Sequence, residues 1–301
     1  MKCIKCEENA VISLSRHNAG FCKDHFTEYF HRQVEAAIKE YSMLKTSDRV
    51  MVCVSGGKDS LVLWHILNLM GYKTAGMYVS LGIGEYSQKS KAKVLAFAEK
   101  NKLESIIIDL DEEKCPIPLL AAKTKRNACS VCGQVKRHYF NKVALDGGFT
   151  VAATGHNLDD EAARMLGNVL RWDTKHLAKM SPILPEEGET IKRKVKPLIR
   201  LTEKEVAAYA FLNGIDYIPD ECPKSRGASS LKFKEVLNEL EAAAPGTKHF
   251  FYGEFFRSAA DRFPYITNES DKDEIKKCLK CGAESYLDVC SFCRLTEKLN
   301  G

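Results

Sequence analysis

The chain has 301 residues, which at roughly 150 per domain suggests about two domains and room for a sizeable core. Hydrophobic residues make up 45% and charged residues 28%, values that exclude collagen-like, coiled-coil and disordered classes. Lysine plus arginine exceed aspartate plus glutamate by 45 to 40, and the net +5 permits an anionic partner without announcing one.

The start, MKCIKCEEN, has no apolar signal core, so a cytoplasmic protein is expected, with its 12 cysteines reduced rather than in disulfides. Cys3-x2-Cys6 and, 15 residues on, Cys22-x2-His25 make a complete four-ligand set. A C-x2-C turn aims two thiolates at one point about 2.3 Å from each sulfur, and two such knuckles close a tetrahedron. A structural Zn²⁺ is therefore expected here, in a segment too short to bury much apolar surface. Residues 26–44 have helical apolar spacing and leave this module. Residues 49–54, RVMVCV, suit a buried parallel strand. A helix over 59–70 ends at Gly71; its most apolar part, 61–70, falls short of the roughly 20 residues a membrane helix needs. A strand at 73–81, a helix at 87–101 and a strand at 105–110 continue the alternation, followed by a helix at 136–145, a strand at 149–154 and a helix at 158–170. Such alternation means an α/β domain whose parallel sheet is covered on both faces. Residues 202–213, 229–243 and 247–262 read as helices, the last two parted by Pro245-Gly246. The polar stretch 268–277 is the expected linker to a second complete zinc set, Cys278-x2-Cys281 and, 8 residues on, Cys290-x2-Cys293. Three units follow: a zinc finger over 1–28, a central α/β domain over 29–272 and a ribbon over 273–301.

Two further motifs carry chemistry. Ser55-Gly56-Gly57-Lys58-Asp59-Ser60 follows the first strand and opens a helix, where free N–H groups and the helix dipole favour an anion. The glycines allow close backbone approach to phosphates. It is not a Walker A loop, which would need glycine where Val52 stands. The second is Cys129-x2-Cys132 with Cys222 far along the chain. A redox pair or half a zinc site also fits this doublet, and three ligands would leave one metal position open.

Taken together, these motifs resemble a known family. SGGKDS is similar to the PP-loop of the ATP-pyrophosphatases, which cleave ATP to AMP and pyrophosphate and adenylate a carbonyl oxygen. Cys129-Ser-Val-Cys132-Gly-Gln-Val-Lys136-Arg137, Thr154-Gly-His-Asn-Leu-Asp-Asp-Glu161 and Glu221-Cys222-Pro223 resemble the tRNA 2-thiouridine synthetases, as do the zinc-binding start, Ser225-Arg-Gly-Ala-Ser-Ser-Leu231 with Pro245-Gly-Thr-Lys248, and the four-cysteine end. The branch it looks most like is the TtuA type, which thiolates the T-loop ribothymidine; a neighbouring branch acts on the wobble uridine. The resemblance implies a Rossmann-like PP-loop fold in which Cys129, Cys132 and Cys222 hold a [4Fe–4S] cluster, its fourth iron free to bind hydrosulfide. It implies that residues 55–60 bind the ATP phosphates, with Cys53, Val54 and Val79 around the nucleotide. Lys136 would face ATP, and Gly155 and Asp160 would form a second nucleotide-contacting segment. Asp59 and Asp160 are the Mg²⁺ candidates, although either acid could serve only its helix dipole.

The implied reaction transfers AMP to the uracil C2 oxygen and then replaces that oxygen with sulfur; a persulfide on one of the three cysteines is an alternative sulfur carrier. The expected partners are tRNA and a sulfur donor, whether sulfide, a desulfurase persulfide or the thiocarboxylate of a ubiquitin-like carrier. A homodimer is expected by resemblance. Lys192, Arg193, Lys194, Lys196 and Arg200, and separately Lys123, Lys125 and Arg126, are candidate RNA contacts, for which a solvated charge run is the competing explanation. Two other functions compete. A PP-loop ligase that aminates an adenylated carbonyl would leave the three cysteines without a role, and a zinc-ribbon RNA-binding protein would keep a non-catalytic nucleotide pocket.

Overall fold

A computed structural model describes residues 1–186, 188, 192–224, 229–259 and 275–299, with backbone only at 229 and 230. A short hairpin, β1 (Ile12–Leu14) and β2 (Ala19–Phe21), leads into α1 (Lys23–Glu40). Alternation follows: β3 (Arg49–Val54), α2 (Lys58–Leu69), β4 (Lys73–Ser80), α3 (Gly84–Asn101), β5 (Glu104–Asp109), α4 (Ile117–Thr124), α5 (Ala128–Asp146), β6 (Val151–Thr154) and α6 (Leu158–Leu170). After α7 (Thr174–Ala178) come two short strands, β7 (Ile183–Leu184) and β8 (Arg193–Val195). Then come α8 (Glu203–Leu212), α9 (Ser229–Ala243) and α10 (Thr247–Glu254), which widens into a π turn over Phe255–Ala259. A small hairpin, β9 (Lys276–Lys277) with β10 (Glu284–Ser285), and α11 (Ser291–Glu297) complete the described chain.

The main sheet has the order β5-β4-β3-β6-β8-β7, all parallel except β7. Its alternating residues face two apolar layers. Val50, Val52 and Val54 point to the side of Trp64, Phe97 and Tyr209, while Met51 and Cys53 point to that of Val131, Val135 and Phe149. Gly76 on β4 is required by packing, because a Cβ there would lie 2.3 Å from the buried Trp64 ring. The chain runs outward from β3 to β4 and β5 in one direction, then returns to place β6 on the other side of β3. That reversal is a topological switch point, where open parallel sheets bind ligands beyond the strand C-termini. No described helix is long and apolar enough to cross a membrane.

Several boundaries differ from the sequence reading. The unit boundary expected at residue 28 falls inside α1: Cys22 is the N-cap, so the last metal ligands and the first helix of the next unit are one element. The helix expected from 136 begins eight residues earlier, with the Asn127 side chain capping Cys129 N–H at 2.9 Å. The expected linker overlaps β9 at 276–277; residues 268–274, the 272/273 boundary, helix residues 260–262 and Ser225 to Ala228 lie outside the described residues.

Candidate active site

The loop Ser55–Ser60 joins β3 to α2 at the switch point. Gly56 has φ +80°, and a Cβ there would meet the Ser90 carbonyl of α3 at 2.8 Å, so both conformation and space demand glycine. Ser55 N–H donates to Ser60 Oγ at 3.1 Å, and Ser60 Oγ donates to Gly57 O at 3.0 Å. Directly opposite, the loop after β6 approaches so closely that a Cβ on Gly155 would lie 2.8 Å from Ser60 N. Val54 and Val79 are buried strand-end residues on opposite faces of the sheet, and Cys53 is half-buried beside the loop.

The acids and cations interlock. Asn157 Nδ2 donates to Asp59 Oδ1 at 3.0 Å, and Lys58 reaches Asp59 at 3.3 Å and Glu203 at 2.6 Å. Asp160 completes a capping box with Asn157 and pairs with Lys234 at 2.6 Å. Asp160 is thus a helix cap and an ion-pair partner together. Burial raises the Asp59 carboxyl, Lys58 pulls it back, and Asp160 and Glu203 push it up again. Burial also acts to raise Glu203, but Lys58 and Lys234 override it and hold the carboxyl at about 2. Glu203, Lys234 and Asn157 escaped the sequence reading because each sits in an ordinary helical or capping pattern; Thr202 and Glu205 form the capping box that hides Glu203.

Beneath these groups, Asp159 and Lys248 form an ion pair with both side chains 5% exposed. Removing one partner from such a pair leaves a charge uncompensated. Lys248→Met should therefore lower stability by about 3–5 kcal/mol in denaturant unfolding.

The middle cysteines come together from two segments. Cys129 and Cys132 lie one turn apart at the start of α5, on the helix that the sequence reading places only from Lys136 onward. Cys222 arrives from the segment after α8, and that segment is tied to the phosphate loop by Ile218 N–H donating to Gly56 O at 2.9 Å. Cys129 Sγ donates to Lys224 O at 3.3 Å, two residues beyond Cys222. Burial raises the Cys132 thiol, Lys136 lowers it, and Cys222 and Cys129 raise it further, so Cys132 lies within electrostatic reach of all three. Burial pushes the Cys53 thiol beside the loop up to about 12, against the pull of Lys194 and, less strongly, Lys136. Cys53, Cys132 and Cys222 pack against the same apolar layer.

The two terminal sets are tighter. Cys3, Cys6, Cys22 and His25 form one group, and Cys278, Cys281, Cys290 and Cys293 another, with all ligand atoms of each within 4.8 Å of one another. Sulfur pairs at 3.7 Å in both match the edge of roughly 3.8 Å that a tetrahedron with Zn–S of about 2.3 Å requires. Either set could hold one metal ion. Cys129, Cys132 and Cys222 do not close to within the 4.8 Å that marks each terminal set. Three thiolates from two segments, with no fourth protein ligand grouped with them, are a donor set that fits an iron–sulfur cluster better than a closed structural zinc site. Cys281→Ala should release one zinc per chain and loosen the ribbon; a wild-type zinc content and melting profile would contradict a structural site there.

Three of the five cations in the first basic stretch are engaged within the protein. Arg193 pairs with Asp48 at 3.2 Å, Lys196 is buried against Glu161 at 2.7 Å, and Arg200 binds Glu40 at 2.6 Å. Lys123, Lys125 and Arg126 remain exposed beside Cys129.

The sequence comparisons agree with this geometry. Residues 26–228 match the PP-loop domain model, so the chain is a PP-loop protein, and residues 2–27 match the N-terminal LIM domain of the 2-thiouridine synthetase TtuA. The chain is 43% identical to a tRNA-5-methyluridine(54) 2-sulfurtransferase of Pyrococcus horikoshii, over 98% of this chain and 93% of that one. It is 40% identical to the Thermus thermophilus protein of the same name, over 98% and 91%. Among solved structures it resembles the U34-tRNA thiolase NcsA from Methanococcus maripaludis with its [4Fe–4S] cluster, at 26% identity and TM-score 0.78, over 97% and 95% of the two chains. The chain belongs to the tRNA 2-sulfurtransferase family, the tRNA-thiolating enzymes of the PP-loop class.

Proposed function

We propose that this enzyme 2-thiolates the T-loop ribothymidine of tRNA. What supports that position over the wobble uridine is the 43% and 40% identity to relatives named for position 54, against 26% to the thiolase named for position 34. What supports the chemistry is one observation above others: the Ile218–Gly56 bond draws the Cys222 segment onto the phosphate loop.

ATP phosphates bind on residues 55–60, with the free N–H groups at the start of α2 facing them. Lys58 and Lys136 offset the charge that develops as pyrophosphate departs, and Mg²⁺ would be held by Asp59 and Asp160. A uracil C2 carbonyl is a poor electrophile with oxide as its leaving group. Transfer of AMP to that oxygen makes it a good one; sulfide then bonds to C2, the C–O bond breaks, and AMP leaves carrying the oxygen. Cys129, Cys132 and Cys222 would hold a [4Fe–4S] cluster, which when bound supplies an iron without a protein ligand as the place for that sulfide. Because the target base lies inside a folded tRNA, it must be flipped or locally opened to reach the site. Exposed Lys123, Lys125 and Arg126 supply phosphate contacts, so binding should weaken steeply with salt. Zn²⁺ in both terminal sets, a donor delivering sulfide, persulfide or thiocarboxylate, and a homodimeric assembly complete the reading.

The test is an anaerobic assay with iron-reconstituted protein, ATP, Mg²⁺, sulfide and unmodified tRNA, followed by nucleoside analysis. Thiolated ribothymidine supports the proposal. Thiolation of the wobble uridine alone would reassign the substrate, and AMP without thiolation would reject the reaction.

A further inference from the structure

Three consecutive acids open α6, and each takes a different lysine. Asp159 binds Lys248 and Glu161 binds Lys196, and neither pair has a side chain more than 5% exposed. Asp160 binds Lys234 instead, and those side chains are 27% and 20% exposed. Lys234 also lies 3.1 Å from Glu203 Oε2, while Glu203 Oε1 accepts from Lys58 at 2.6 Å. One half-open carboxylate therefore holds two ammonium groups, one from the phosphate loop and one from α9.

The contrast between these pairs decides their roles. A sealed ion pair cannot exchange partners without exposing a charge to apolar surroundings, so Lys248 and Lys196 are structural. A partly hydrated pair can exchange partners without stranding a charge in apolar surroundings, and a polyphosphate carries more charge than the carboxylate it would displace. Burial works against the charge on Lys234, but Asp160 and Glu203 more than restore it, so this lysine stays cationic. We infer that Lys234 is a second phosphate-binding cation of the nucleotide site, held beside Lys58 on the two oxygens of Glu203 until the triphosphate arrives. Glu203 is then a positioning residue, aiming both lysines at the space over the glycine loop. The inference rests on reading residues 55–60 as the ATP phosphate site.

Calorimetric binding of ATP and of inorganic pyrophosphate to the full chain tests it, with Lys58→Met, Lys234→Met and Lys234→Arg beside the wild type. Lys234→Met should weaken both ligands about tenfold, as expected for one lost charge-assisted hydrogen bond, at an unchanged melting temperature; Lys234→Arg should recover most of the affinity. Unchanged affinity in Lys234→Met, while Lys58→Met loses it, would overturn the inference and leave the loop assignment standing. A loss accompanied by a lowered melting temperature, with no recovery in Lys234→Arg, would also overturn it by making the residue structural. Wild-type protein that binds neither ligand would reject the loop assignment and the inference with it.

Discussion

Cys222→Ala is expected to abolish tRNA thiolation and to remove bound iron, while ATP binding stays within a factor of about two of wild type. Two thiolates on one helical turn cannot hold a multi-iron group that takes a ligand from each of three cysteines, and the third ligand comes only from the segment after α8. Activity should fall by more than about a hundredfold, beyond the 10–100-fold that a change behind the ligands costs a metal site. ATP binding survives because the segment is attached to the phosphate loop through the backbone of Ile218, which the substitution leaves in place. Retained thiolation with iron lost would shift the sulfur-carrying role to a persulfide on Cys129 or Cys132. Activity and iron both unchanged would remove Cys222 from the site.

Gly155→Ala should have the opposite signature, losing nucleotide while keeping iron. The added methyl would lie 2.8 Å from Ser60 N, 2.9 Å from Asp59 C and 3.0 Å from Asp59 O, all backbone atoms that cannot rotate aside. Overpacking of this kind costs about 1–3 kcal/mol, and here it is relieved by separating the loop after β6 from the loop after β3. That widens the crevice in which the triphosphate would sit, so ATP affinity should fall about tenfold or more in calorimetry, with iron content at the wild-type level. Unaltered ATP affinity would mean that the two loops do not grip the nucleotide together.

Much of this arrangement was legible in the sequence, for identifiable physical reasons. RVMVCV suits a strand buried on both faces, and the glycine-rich turn at its end marks where the chain enters a helix. The zinc sets were legible because each closes within about 25 residues, where spacing alone fixes geometry. The helical setting of Cys129 and Cys132 was not, since within Ala128 to Val135 only Val131 and Val135 mark the buried face and the cap is a single Asn127 side chain. Short elements such as α4, β7 and β8 also escaped, being held by neighbours rather than by their own periodicity. The sequence suggested Lys192 to Arg200 as an RNA contact because charge is visible there and partners are not; Asp48, Glu161 and Glu40, which engage three of its cations, lie 35 or more residues away in the chain. The same blindness hid Glu203 and Lys234, whose significance arises only where α8, α9 and the phosphate loop converge.

The most direct measurement is the metal content of anaerobically purified protein, for the wild type and for a variant with Cys129, Cys132 and Cys222 all changed to alanine. The wild type should carry about four iron and about two zinc per chain, and the variant about two zinc and no iron. A third zinc in place of iron in the wild type, or iron persisting in the variant, would contradict the placement of the sulfur-transfer site on these three cysteines.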